Sequence, residues 1–480
     1  MLLPVLALAL AAPQETTSQP TREPLIHCVC DISQEFTFYM DGRFFRQYLE
    51  GAGRDARNWG SLAELDLSNT NLLVLTGGDR RIPYSEAAQE HVEDYLRDGG
   101  AVLLMADGAK AMPPAVALAA RFGATLTTDA AKAPRLTPTK AWRELVGPAP
   151  SDAADAFTFR AGRVLRLSRD WTPLLLDDAK KPVLAVREVG EGRLLLGSRG
   201  LFGQQPDASD PINAEWVRPL LIALAGRKDV DGRERHDSTW AEHTEAVGPL
   251  TLEFHDGTEP FARAIAEEYV AIRPHLVAVT GVEPSPGMIK RLLILPTGGG
   301  GFSSGERIAI GAWWGDYPEN RYPMVELIGH EAGHSWVLPY AEPLWNEPIA
   351  TWLGIQVGKR MGLPEAQRTL DRQLDAGRRH DPDYTRADPL AEGAPRDLVW
   401  GKSYFVFEEL ERLHGPGAMA KYFRTKREVL RPGRSGYGFD DLVAVWSLAV
   451  GEDLFPWFQQ HGFGVDPART DLDHPGAAQR

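Results

Sequence analysis

The sequence predicts an α/β N-terminal domain built on a largely parallel sheet, followed through a charged linker by a second domain. Three observations predict this. Short apolar runs alternate with amphipathic helical segments from residue 24 to residue 226, the rhythm of βαβ units. A dense run of charge follows, with Arg227, Lys228, Asp229, Asp231, Arg233, Glu234 and Arg235, and reads as a linker over 227–246. The chain has 480 residues, and at about 150 residues per domain that length accommodates more than one core.

Residues 1–23 come first. The run from Met1 to Ala12 is apolar and contains Ala9-Leu10-Ala11, which fits a small-residue cleavage site, and a polar stretch follows it. Its length and texture predict a signal peptide and leader, hence a secreted or periplasmic protein. Strands are expected at 25–30, 71–76 and 101–105. A helix between the last two starts on Ser85, buries Ala88, Val92, Tyr95 and Leu96, and stops at Gly99-Gly100. Residues 182–189 and 192–198 read as a hairpin turning at Gly190-Glu191. The next helix, 214–225, points Trp216, Leu220, Leu221 and Leu224 inward. The second domain is expected over 247–466, and 467–480 as a flexible tail without core-forming pattern.

Composition narrows the function. Lys plus Arg number 52 against 66 Asp plus Glu, a net charge of −14, which speaks against nucleic acid as a partner. No apolar stretch is long enough to predict a membrane span. Cys28 and Cys30 are the two cysteines. Their spacing within an apolar strand puts both sulfurs on one face, as small core hydrophobes.

The N-terminal region resembles the glutamine-amidotransferase-like domains of the ThuA type. The resemblance rests on Leu72-Leu73-Val74-Leu75-Thr76-Gly77-Gly78, on Tyr95-Leu96-Arg97-Asp98-Gly99-Gly100-Ala101-Val102-Leu103-Leu104, and on Gly190-Glu191-Gly192-Arg193-Leu194-Leu195-Leu196-Gly197-Ser198. It implies a doubly wound α/β fold over 24–226. An active amidotransferase would carry a nucleophilic cysteine at a strand-to-helix elbow, where this chain has Ala106-Asp107-Gly108. The domain is therefore expected to be noncatalytic.

The chemistry points to His330-Glu331-Ala332-Gly333-His334. Pro323 suits a first helical turn and Pro339 ends the segment, predicting a helix over 323–338. Residues four apart share a helix face, so His330 and His334 can offer two imidazoles to one metal, with Glu331 beside them as general base and acid. A catalytic zinc needs a third protein ligand and one open position. Glu347 supplies a carboxylate at the start of a second helix, with Pro348 in its first turn, and Asn346 is placed to orient it.

This constellation resembles the gluzincin metallopeptidases, in which a glutamate ligand follows the paired histidines in a Pro-x-Trp-x-x-Glu-Gly-x-Ala context. Here it reads Pro343-Leu344-Trp345-Asn346-Glu347-Pro348-Ile349-Ala350, one residue shorter and with Pro for Gly. The spacing between His334 and Glu347 suits the enhancin- and mucinase-like peptidases. The resemblance implies an α+β domain with a mainly helical C-terminal part, Zn2+ held by His330, His334 and Glu347, Glu331 as general base, and a peptide or glycoprotein substrate. Aminopeptidase N relatives carry an amine-gripping Glu where Trp314 stands here, in Gly311-Ala312-Trp313-Trp314-Gly315, which weakens an aminopeptidase assignment.

The segment Trp400-Gly401-Lys402-Ser403-Tyr404 makes Tyr404 the first candidate for stabilising an oxyanion, ahead of Tyr384 and His380. Residues 307–313 read as either an edge strand for a peptide or an ordinary internal strand. Gly298-Gly299-Gly300-Gly301 reads as a flexible turn near the cleft. Trp336, Trp345 and Trp352 are expected to be mostly core. The rival to a zinc peptidase is a noncatalytic peptide- or glycan-binding scaffold that retains the fold.

Overall fold

Leucine- and valine-rich segments with no solvent-facing side chain make the middle of the N-terminal sheet. In chain order the strands of the N-terminal part are β1 (Ile26–Asp31), β2 (Gly53–Asn58), β3 (Leu72–Leu75), β4 (Ala101–Ala106), β5 (Ala124–Ala130), β6 (Thr137–Pro138), β7 (Arg163–Leu167), β8 (Trp171–Leu176), β9 (Pro182–Val189) and β10 (Gly192–Ser198). The computed structural model describes residues 25–31, 49, 53–58, 60–75, 83–106, 113–131, 136–147, 163–198, 201–202, 214–231, 241–295, 300–312 and 316–476. The expected leader, Gly77-Gly78, Asp107-Gly108, the linker core 232–240, Gly298-Gly299 and Trp313 to Gly315 lie outside them.

Eight strands form one sheet in the order β2-β1-β3-β4-β10-β9-β8-β6. From β2 to β10 neighbours run parallel, and from β10 to β6 they run antiparallel. β3 and residues 101–104 of β4 are buried on both faces, as parallel central strands require. β5 and β7 pair separately. Helices α1 (Glu86–Arg97), α2 (Pro113–Arg121), α3 (Lys140–Val146) and α4 (Ala214–Ala225) complete this part. Ser85 caps α1 by accepting from the Ala88 amide, and Gly99 follows it with φ +91°. The hairpin β9–β10 turns on Gly190 at φ +59°. Cys28 and Cys30 are buried in β1 with their sulfurs 4.0 Å apart.

The second part opens with β11 (His243–Val247), β12 (Leu250–Phe254), α5 (Glu259–Thr280), β13 (Arg291–Leu295), β14 (Gly301–Ser303) and β15 (Arg307–Gly311). These strands form a sheet ordered β11-β12-β13-β15-β14. Helices follow: α6 (Arg321–Val337), α7 (Asn346–Arg360), α8 (Pro364–Arg378), α9 (Arg396–His414), α10 (Ala418–Val429), α11 (Phe439–Val450) and α12 (Phe455–Gln460). The chain is thus a mixed α/β structure with N-terminal sheets and a helical C-terminal part. Side chains alternate across each strand. Leu292, Ile294, Ile308 and Ile310 join the core of the helices, and Leu293, Leu295 and Ala309 join a core with α4 of the N-terminal part.

Two sequence expectations differ from this arrangement, and one left open between two alternatives is decided. β11 lies at the end of the span read as linker, because Thr244 and Ala246 pair with Glu253 and Thr251 of β12. The segment 307–311 is internal, flanked by β13 and β14, and the sheet edge is β14. The tail is anchored as far as its described residues go. Thr470 donates to Asp441, and buried His474 packs on Phe455 with ring centroids 5.0 Å apart.

Glycines set the closest helix contact. A Cβ at Gly354 of α7 would lie 2.5 Å from the Glu326 carbonyl oxygen of α6, and one at Gly329 would lie 2.7 Å from the Gly354 Cα. A Cβ at Gly333 would sit 3.1 Å from the Ala350 Cα. Neither helix can therefore carry a side chain at 329 or 354 without moving apart. Gly354→Ala is expected to cost about 1–3 kcal/mol through overpacking, offset by up to about 1 kcal/mol of helix propensity. Urea denaturation measures it, and an unchanged or raised midpoint would show that the helices tolerate wider spacing.

Candidate metal centre

The helix α6 forms from Arg321 to Val337 and ends where Leu338 leaves helical geometry ahead of Pro339. Its buried side presents Met324, Val325, Ile328, Ala332 and Trp336 to the core. One turn apart on the same helix, His330 and His334 place their Nε2 atoms 3.1 Å from each other. Glu347 enters from the first turn of α7, where the positive end of the helix dipole favours a carboxylate. Its Oε2 lies 3.6 Å from His330 Nε2 and its Oε1 3.5 Å from His334 Nε2. One donor atom from each residue falls within a 4.8 Å set.

The loop that delivers Glu347 is held from a distance. Glu342 is buried, accepts a 2.6 Å hydrogen bond from Tyr422 Oη and pairs with the buried Lys426 ammonium. Its carbonyl accepts from the Asn346 amide at 3.0 Å. Leu344 in this loop sits at φ +66°, a left-handed conformation disfavoured for a side-chain-bearing residue. Removing one partner of a buried ion pair leaves an uncompensated charge, so this pair ties the reversal between α6 and α7 to α10.

Two of the three donors have a supporting neighbour. His330 Nδ1 lies 2.8 Å from Thr351 Oγ1, one turn beyond Glu347 on α7. With the proton on Nδ1 and Thr351 accepting it, Nε2 keeps a lone pair directed at the other donors. Asn346 Nδ2 reaches Glu347 Oε1 at 3.5 Å. On the sheet side, Ser303 of β14 and Ser335 of α6 have their hydroxyl oxygens 3.0 Å apart.

Glu331 is 4% exposed and faces β14. A Cβ on Gly301 would come 2.9 Å from its Oε1 and Cγ, so glycine there makes room for the carboxyl. Burial, then the charge of Glu347, push the Glu331 carboxyl up to about 8. Burial and the neighbouring His334 push His330 down to about 3. Burial likewise lowers His334, opposed by Glu347 and Asn346. Two imidazoles held neutral with adjacent inward nitrogens, beside a carboxylate, suit a divalent cation that both lone pairs can share.

The other expected site residues are spread more widely. Tyr404 is fully buried, and its hydroxyl lies beside Thr351 and Glu326 without a formed hydrogen bond. Burial holds its phenol well above the usual value. That places it inside the core next to Thr351, with no exposed surface. Tyr384 is buried and donates to the Leu374 carbonyl at 2.5 Å, and His380 is exposed beyond α8. Trp336, Trp345 and Trp352 are core residues. Sequence reading missed Thr351, although its position four residues after Glu347 on one helix was a usable signal. It also missed Glu342, whose partners lie 80 and 84 residues away, and Gly301 as part of an edge strand.

Comparison with known proteins gives one family match and several weakly similar solved structures. Residues 42–202 match a family described as a domain of unknown function, DUF4350. No curated protein matches the chain. Among solved structures, the mmIFT52 N-terminal domain is similar at 16% identity, with 43% of this chain and 99% of that one covered and a TM-score of 0.34. A cytoplasmic protein from Salmonella typhimurium is similar at 14% identity, over 42% of this chain and 100% of that one, with a TM-score of 0.32. A thua-like protein from Parabacteroides merdae matches at 15% identity over 42% of this chain and 88% of that one, with a TM-score of 0.31.

Two outcomes follow from the donor geometry. Thr351→Val is expected to weaken zinc binding about 10–100-fold by freeing the His330 ring, measured by competition with a chromophoric chelator. Wild-type affinity would contradict that role. Because a metal binds neutral imidazole and His330 stays neutral far below its ordinary value, acidification should release little zinc. Between pH 7 and pH 5 the affinity is expected to fall less than tenfold, against about several hundredfold for two ordinary imidazoles. A fall of the larger size would contradict the burial of the pair.

Proposed function

We propose that the chain is an exported zinc-dependent peptidase of the gluzincin type. The observation that carries this reading is the convergence of His330, His334 and Glu347 beside the buried Glu331. His330, His334 and Glu347 are the residues that would hold zinc, with Thr351 fixing the His330 ring. Bound there, zinc would supply a Lewis acid that polarises a peptide carbonyl and acidifies water.

The chain's own groups do the rest. Glu331 takes the proton of the attacking water on its carboxylate and passes it to the departing amine nitrogen as the peptide C–N bond breaks. Its apolar surroundings raise its basicity toward neutral pH, where a proton shuttle is most effective. β14 is the sheet edge next to Glu331, so its backbone can pair with an extended peptide or glycoprotein segment.

The N-terminal sheet fits a noncatalytic role of the ThuA type, recruiting substrate or bracing the cleft. Both thiols are buried in β1, which removes the accessible nucleophile that amidotransfer needs. Among the described residues no helix is long and apolar enough to cross a membrane, and export is assigned here on the leader pattern.

Glu331→Gln keeps the shape and removes the base. Casein or peptide hydrolysis is expected to fall about 10²–10⁴-fold with zinc stoichiometry retained. Full activity in this variant would refute the role of Glu331.

A further inference from the structure

A cleft of about 170 Å³ adjoins the donor set and plays no part in the chemistry derived so far. Its lining is Pro323, Glu326, Leu327 and His330 from α6, with Thr351 from α7. His330 belongs to both the cleft and the donor set. A peptide held at the donor set therefore has the side chain of a neighbouring residue, one step along an extended chain, next to this cleft. Two of the lining side chains, Pro323 and Leu327, are apolar, and one is an acid.

That acid is held by no close ion pair. Glu326 makes no ion pair with a Lys, Arg or His among the described residues, although it is half-buried. Two phenols stand behind it. The Tyr322 and Tyr404 hydroxyls are buried, and both lie within electrostatic reach of Glu326, with Tyr322 the nearer influence on its carboxyl. Each can turn its O–H toward the carboxylate once that group ionises.

Resting on the peptidase reading, we infer that this cleft is the specificity pocket for the residue beside the scissile bond, and that it selects lysine or arginine. The fit is chemical. A lysine or arginine lays its methylene stem along Pro323 and Leu327 and brings its charged end to Glu326. An aspartate or glutamate would meet like charge. An aliphatic side chain of equal length would cover the carboxyl without pairing it, which costs free energy in a desolvated pocket. Burial raises the Glu326 pKa, while Tyr322 and the more distant Arg372 oppose that rise, so a cationic guest completes the ionised state.

The test pairs peptides that differ only in lysine or norleucine beside the cleaved bond. Full-length, zinc-loaded protein first digests a peptide library to locate cleavage, and kcat/KM is then measured for the pair. Lysine is expected to be favoured at least tenfold, and Glu326→Gln to reduce that ratio to within threefold. As a readout apart from turnover, zinc-loaded Glu331→Gln should bind the lysine peptide more tightly than its norleucine twin in fluorescence anisotropy. Cleavage indifferent to lysine, or a preference that survives Glu326→Gln, overturns the pocket and leaves the peptidase reading standing. Zinc bound with no peptide cleaved overturns both. The wild-type library profile decides the matter even if the variant folds poorly.

Discussion

The close approach of α6 and α7 is the constraint on which the site depends. Gly329, Gly333 and Gly354 let the two backbones meet, and only at that separation does Glu347, in the first turn of α7, reach the Nε2 atoms of His330 and His334. The same contact sets Thr351 against His330 Nδ1. One helix pair thus supplies the donors and one of their supports. The Glu342 anchor to Tyr422 and Lys426 fixes where the chain turns back, so a buried ion pair far in sequence helps set the reach of Glu347.

Electrostatics complement that geometry. Without a cation, the site keeps its imidazoles neutral and Glu331 protonated near neutral pH, because burial penalises each charged form. A divalent ion reverses the balance for the acids, since it is the largest local charge and draws a nearby carboxyl toward ionisation. The protein therefore holds a set of groups whose charges are costly separately and compatible around one cation. Gly301 contributes by absence, leaving room on β14 for the Glu331 carboxyl.

Much of this was legible from local pattern. The i, i+4 spacing of His330 and His334 reports one helix face, and the structure has both on α6. Ser85, Gly99 and Gly190 mark element ends through capping and positive φ, which are short-range effects. What escaped was set by tertiary pairing. The run of glycines at 298–301 reads as a turn, yet Gly301 belongs to an edge strand because Ile310 pairs with it. Residues 307–311 carry an apolar run that cannot by itself declare which neighbours flank it. Neither Lys426 nor Tyr422 announces a partner some 80 residues earlier, and His474 reads as tail until Phe455 is beside it. For Tyr404, the sequence context suggested a donor at the reacting carbonyl. It is fully buried beside Thr351 and Glu326, with no exposed surface.

The most direct measurement is X-ray absorption at the zinc edge of the purified, zinc-loaded chain. The account predicts one zinc per chain with two imidazole nitrogens, one carboxylate oxygen and one solvent oxygen at about 2.0–2.2 Å. A shell without imidazole scattering, or zinc that washes away as the hydrated ion, would contradict it.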